Sequence, residues 1–269
     1  MSLSRKLRVL AAATATTVAL TVALAAPASA IKYGDLDGND HPFVGLMVAQ
    51  DANGAPLWRC SGTLISPTVY LTAGHCTEAP AAHVEIWFDA DVDAGRPGNG
   101  YPFTGQVGGT PYTHPDYDPN AFFVRDVGVV VLDERMEMHH YPSLPALNQL
   151  DAMKTMRGKQ DVTFTAVGYG LQYITPVYTE AARVRMVANP KLNQINVPGF
   201  TGDYSLLLSN NASTGGTCFG DSGGPNFIGD SLVIGGVTSF GINGNCAGTG
   251  GVFRVDRSWS LDWIETFLP

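Results

Sequence analysis

The sequence predicts an all-β chain, a sandwich or barrel, closed by one C-terminal helix. Apolar runs rich in β-branched residues recur at short intervals. Clusters of Gly, Pro, Asn and Asp separate most of them, as at Gly95–Gly100 and Asn189–Gly199. Only the tail carries a helical pattern. In chain order the expected strands are Phe43–Ala49, Ser61–Ile65, Val69–Ala73, Val84–Phe88, Val127–Leu132, Val162–Val167, Arg183–Val187 and Leu232–Phe240. Their length and spacing suit a sandwich or barrel rather than alternating strands and helices. The helix is expected over 258–268, where Trp259, Leu261, Trp263, Ile264, Phe267 and Leu268 form one apolar face.

The first thirty residues read as an export signal rather than as fold. Arg5, Lys6 and Arg8 open the chain, an Ala/Thr/Val/Leu run follows, and Ala28-Ser29-Ala30 is the small-x-small pattern that a signal peptidase cuts. A membrane anchor is the alternative, but the run is weakly hydrophobic and shorter than the ~20 residues a span needs. Residues 31–269 are then the secreted product, 239 residues after thirty are removed. Losing three cations moves the formal charge from −8 to −11. That length suits one or two lobes, with boundaries expected near 31–150 and 151–257. The acidity argues against nucleic-acid or anionic-membrane partners, and a monomer is expected.

Four cysteines, Cys60, Cys76, Cys218 and Cys246, are expected to form disulfides in an exported chain. Three pairings are possible; two local loops, Cys60–Cys76 and Cys218–Cys246, are the simplest. No Cys-x-x-Cys occurs, so no zinc site is expected. Asp89, Asp91 and Asp93 suggest a calcium loop, but Ala94 and Gly100 stand where that pattern needs Gly and Glu. No metal or cofactor is therefore expected. Asn211-Ala212-Ser213 fits a glycosylation acceptor, a triplet that also arises by chance.

The chemistry centres on Gly220-Asp221-Ser222-Gly223-Gly224-Pro225. A serine hydroxyl needs a base to take its proton and donors to hold the oxyanion. Flanking glycines allow the sharp turn, and the N–H groups of Gly220 and Ser222 are placed to be those donors. The Gly-x-Ser-x-Gly pattern also fits the nucleophile elbow of α/β-hydrolases, but there the histidine follows the serine. Here all six histidines, His41, His75, His83, His114, His139 and His140, precede Ser222. His75, in Leu71-Thr72-Ala73-Gly74-His75-Cys76, ends an apolar strand beside an expected disulfide and is the candidate base. Asp126 opens the run Val127–Leu132, where a carboxylate needs a hydrogen-bonding partner such as His75.

Together these blocks resemble the chymotrypsin/trypsin family. His75, Asp126 and Ser222 follow one another in that family's order, 51 and 96 residues apart. Gly168-Tyr169-Gly170, Ser239-Phe240-Gly241 and Gly251-Val252-Phe253 are weaker matches. The resemblance implies two six-stranded antiparallel β-barrels with the triad between them, the disulfide pairing above, peptide or protein substrates, and protein inhibitors. It also implies a primary pocket lined by Gly216, Thr217, Ser239, Phe240, Gly241 and Gly251, uncharged and suited to large apolar residues. Family members are activated when a freed Ile or Val amine pairs with the Asp before the nucleophile; here cleavage after Ala30 would offer Ile31 to Asp221. A non-catalytic relative serving as a binding module is the competing function; such proteins typically lose a triad residue, and all three are present.

Overall fold

The computed structural model describes residues 31–153 and 161–269; the expected signal peptide lies outside the described residues. The strands are β1 (Asp35–Leu36), β2 (Val44–Gln50), β3 (Pro56–Ser66), β4 (Val69–Thr72), β5 (His83–Trp87), β6 (Val107–Thr113) and β7 (Gly128–Leu132). The second half contributes β8 (Phe164–Gly168), β9 (Tyr173–Thr175), β10 (Tyr178–Glu180), β11 (Met186–Ala188), β12 (Leu192–Val197), β13 (Gly202–Asn210), β14 (Pro225–Ile228), β15 (Ile234–Gly241) and β16 (Gly248–Arg254). A single helical turn, α1 (Gly74–Thr77), follows β4, and α2 (Ser258–Glu265) ends the chain.

The expected all-β, two-barrel architecture is present. In the first lobe β2-β3-β4-β7-β6-β5 close into a six-stranded barrel. All seven residues of β2 are buried, because a small closed barrel leaves this strand no solvent face. In the second lobe β8-β14-β15-β16-β13-β12 lie side by side. One antiparallel bridge, Thr163 with Lys191, joins the first of these strands to the last, helped by Phe164 N–H to Pro190 O at 2.8 Å. This barrel is thus closed by a short contact rather than a full ladder. β11 and β1 continue the sheet from β8.

The expected lobe boundary needs one change. Residues 31–36 belong with the second lobe: β1 pairs with β11, and Ile31 is wholly buried with Ala166, Met186 and Ala188. The lobes are further joined by Arg185, which is fully buried. Its Nε donates to Asp37 Oδ2 at 2.9 Å, Nη1 to Val44 O and Phe88 O at 3.1 and 3.0 Å, and Nη2 to Gly38 O at 2.9 Å. A buried guanidinium is tolerated because these acceptors replace its water. Both expected disulfides are present, Cys60–Cys76 and Cys218–Cys246. Among the described residues no helix is long and apolar enough to cross a membrane.

Candidate active site

Strand pairing delivers two of the candidate residues. β4 and β7 are neighbours, with Thr72 opposite Gly128, so α1 and the residues before β7 emerge at the same end of the barrel. His75 therefore meets Asp126. The approach is close: a Cβ on Gly128 would lie 2.6 Å from Ala73 O and 2.5 Å from Thr77 Oγ1. Only glycine fits there. The Cys60–Cys76 bridge ties α1 back to β3, and Trp58 Nε1–H donates to Cys76 O at 3.0 Å.

Asp126 is fully buried. Its Oδ1 accepts the His75 backbone N–H at 2.9 Å, and its Oδ2 lies 3.0 Å from His75 Nδ1. Ser239 donates its hydroxyl to the same Oδ2. The carboxylate thus has the partners that burial demands. An acceptor at Nδ1 places the imidazole proton there and leaves Nε2 free to accept one. Burial disfavours the charged ring of His75, but the charge and hydrogen bond of Asp126, with Glu78 beyond, outweigh it and hold the pKa above the ordinary 6.5.

Ser222 lies in the turn between β13 and β14, half-buried. Gly220 and Gly223, at φ 97° and 78°, take backbone conformations closed to most side chains. Gly223 N–H donates to Thr238 O at 2.7 Å and Gly224 N–H to Asp221 O at 2.8 Å, closing the turn. Ser61 of β3 braces it from the other lobe, its N–H donating to Ser222 O at 2.8 Å and its Oγ to Gly220 O at 2.9 Å. The N–H groups of Gly220 and Ser222 have no hydrogen-bond partner among the described residues. Unpaired amide donors are the kind of group that can hold an oxyanion.

His75 and Ser222 share the wall of a cavity of about 490 Å³. Phe122, Phe219 and Phe240 make it apolar, and Thr217, Ser239 and Gly241 line it as expected. Two expected lining residues, Gly216 and Gly251, are absent from the wall. The space beside Gly216 is filled by Asn210, whose Nδ2 donates to Thr217 O at 2.7 Å. Gly251 pairs with Phe240, and a Cβ there would run into the Phe240 ring. Its neighbour Gly250 faces the other way, towards Thr217 Oγ1 at 3.1 Å from a Cβ. Successive strand residues face opposite sides, and the bulge between Thr238 and Phe240 sets which glycine faces Thr217 and which faces the Phe240 ring.

Sequence reasoning missed Phe122 and Phe219 of the cavity wall and the brace of Ser61. Phe122 sits in a long loop without periodicity, where only proximity reveals it. It joins an aromatic cluster with Phe123, Phe200 and Phe240, centroids 5.3 to 5.8 Å apart.

Asp221 is fully buried, accepting Gly170 N–H at 2.7 Å and Cys218 N–H at 2.8 Å. Burial raises its pKa to about 7, against the pull of those two N–H groups and of Arg59. No hydrogen bond or ion pair joins it to Ile31 among the described residues. In the uncut chain Ile31 carries an amide, not an amine. The acids of the suspected calcium loop are engaged by protein donors: Asp89 by Gln106, Asp91 by the Ala94 N–H, and Asp93 by Arg96 and Arg183. Cys60, Cys76 and His75 lie together, but both sulfurs are committed to the disulfide.

A family model described as trypsin matches residues 37–264, and the chain belongs to the trypsin family of serine proteases. Brachyurin of Leptuca pugilator is 31% identical over 220 residues, covering 78% of this chain and 88% of that protein. Chymotrypsin of Phaedon cochleariae is 28% identical over 217 residues, 79% of this chain and 73% of its own. A solved HL collagenase has the same fold, with a TM-score of 0.66 at 20% identity over 88% of this chain and 97% of its own.

Proposed function

We propose that the chain is a secreted serine endopeptidase that cleaves after large apolar or aromatic residues through His75, Asp126 and Ser222. The observation that supports it most is the buried Asp126 paired to His75, with Ser222 on the same cavity wall. In this reading Ser222 Oγ attacks the scissile carbonyl while His75 Nε2 takes its proton. Asp126 keeps the ring in the required tautomer and stabilises the imidazolium. The N–H groups of Gly220 and Ser222 receive the oxyanion. His75 then protonates the leaving amine, an acyl-enzyme remains on Ser222, and water activated by the same histidine releases the second product.

An uncharged wall with three phenylalanines favours an apolar side chain before the cleaved bond. Removal of residues 1–30 on export would free the Ile31 amine as a partner for Asp221, ordering the Gly220 turn. A fluorophosphonate probe tests the reading: wild type should be labelled at Ser222, and Ser222→Ala and His75→Ala should not. An unlabelled wild type would mean a binding module instead. A peptide library should then show Phe, Tyr or Leu, not Arg, before the cleaved bond.

A further inference from the structure

Arg125 immediately precedes Asp126 and has a left-handed backbone, φ 55°, which a long side chain rarely adopts. Its carbonyl accepts the Val127 N–H at 2.7 Å, so Asp126 stands at the centre of a three-residue turn. That turn sets where the carboxylate points. Something must hold Arg125 in this conformation.

The guanidinium supplies the hold. It lies over the Trp259 ring at 4.3 Å and near the Tyr204 ring at 5.6 Å, two rings that themselves pack at 5.5 Å. Trp259 comes from α2, which also packs Trp263 on His114 of the first lobe, and Tyr204 comes from β13 of the second. Arg125 Nη1 is buried without a hydrogen-bond partner, so the contact rests on the flat face of the cation against the rings. A second tie runs parallel: His114 N–H donates to Val127 O at 3.1 Å, and His114 Nε2 lies 3.1 Å from Trp259 O. His114 Nδ1 accepts the Asp116 N–H, which puts the ring proton on Nε2 for that carbonyl.

We propose that Arg125 is a positioning residue for the reaction, its guanidinium packed on Trp259 and Tyr204 locking the left-handed turn that aims Asp126 at His75. The C-terminal helix and β13 thereby fix the acid that precedes β7. The inference rests on the serine-endopeptidase reading above.

The test compares Arg125→Asn, which tolerates the left-handed backbone but removes the stack, with Arg125→Lys, which keeps the charge but not the plane. Both should lower kcat about tenfold with KM little changed, as expected for a misaligned acid. The acid limb of kcat/KM discriminates further. Asp126 and Glu78 are the anions that raise the His75 pKa, and Tyr117 is the other titratable group against Asp126. A carboxylate held less well raises it less, so the limb should move to lower pH in both variants. Mere removal of a cation would move it to higher pH in Arg125→Asn and leave Arg125→Lys unchanged. That pattern, or wild-type kcat in both variants, overturns the inference. If Arg125→Asn does not fold, Arg125→Lys carries the same test. A wild type that no fluorophosphonate labels would instead sink the endopeptidase reading, whatever the variants do.

Discussion

Ser239 donates its hydroxyl to Asp126 Oδ2, the oxygen that also faces His75 Nδ1. One carboxylate oxygen therefore serves both the candidate base and a residue of the cavity wall. Ser239→Ala leaves a buried charge with one donor fewer, which costs about 1–3 kcal/mol of stability. Without that donor the carboxylate attracts the imidazolium more strongly, so the acid limb of kcat/KM should rise in pH while kcat falls about tenfold. A pH–rate profile with a melting curve checks both, and the limb moves opposite to that expected for the Arg125 variants.

His75 must be neutral to act as a base. Its pKa lies above 6.5, so activity should climb with pH through a midpoint above that value. Asp126→Asn removes the cause and should drop the midpoint along with most of kcat. A midpoint of the wild type below 6.5 would contradict the assignment.

Ser61 reaches from one lobe to hold the Gly220 and Ser222 carbonyls of the other. Its hydroxyl also accepts the Tyr169 N–H at 3.0 Å. Ser61→Ala loosens the Gly220–Asp221 peptide that lies between the two candidate donors, so kcat should fall about tenfold, less than the loss of a whole oxyanion donor. Binding of a ground-state peptide should change little, which a KM measurement against the same substrate decides.

The two strand glycines should behave differently. Gly250→Val places methyl groups against Thr217, which lines the cavity, and should lower kcat/KM for Phe relative to Ala before the cleaved bond by about tenfold. Gly251→Ala runs into the Phe240 ring, itself part of the wall, and should lower that ratio together with a larger drop in melting temperature. Paired chromogenic peptides with melting curves distinguish them.

Asp221 gives the uncut chain a distinctive pH dependence. Its folded pKa, about 7, lies above the ordinary 3.8, so folding favours its protonated form. The resulting stability is fully present below pH 3.8 and is lost as pH rises through about 7. Melting curves of uncut Ser222→Ala chain should show this loss, and Asp221→Asn should abolish it. After cleavage the Ile31 amine would stabilise the carboxylate, and the dependence should disappear. Full activity in Ile31→Gly would refute that pairing.

The candidate triad was legible because it depends on chain order: a tethered histidine, an acid before an apolar strand and a glycine-flanked serine. The apolar strands of the first barrel were legible for the same reason, since burial on both faces writes long Val/Ile/Leu runs such as Val127–Leu132. β16 was not, because Gly248, Gly250 and Gly251 interrupt its apolar pattern, the last two making room for Thr217 and Phe240. β12 carries Asn and Gln that read as turns but are partly exposed, and β13 carries Ser205, Ser209 and Asn210, which are buried. Which glycine faces Phe240 depends on a bulge, and which loop residues reach the cavity depends on contacts between distant segments. Neither leaves a periodic trace.

Arg185 gives the two lobes a common fate. The last strand of the first barrel, β7, is synthesised well before Arg185, yet the Phe88 carbonyl is met by that guanidinium and the Val44 carbonyl by it and the Tyr169 hydroxyl, both from the second half. The nascent first half therefore has no finished resting state of its own and stays pliable until the second half follows. Heating should accordingly melt the protein in one calorimetric transition, and neither half expressed alone should give a stable fragment.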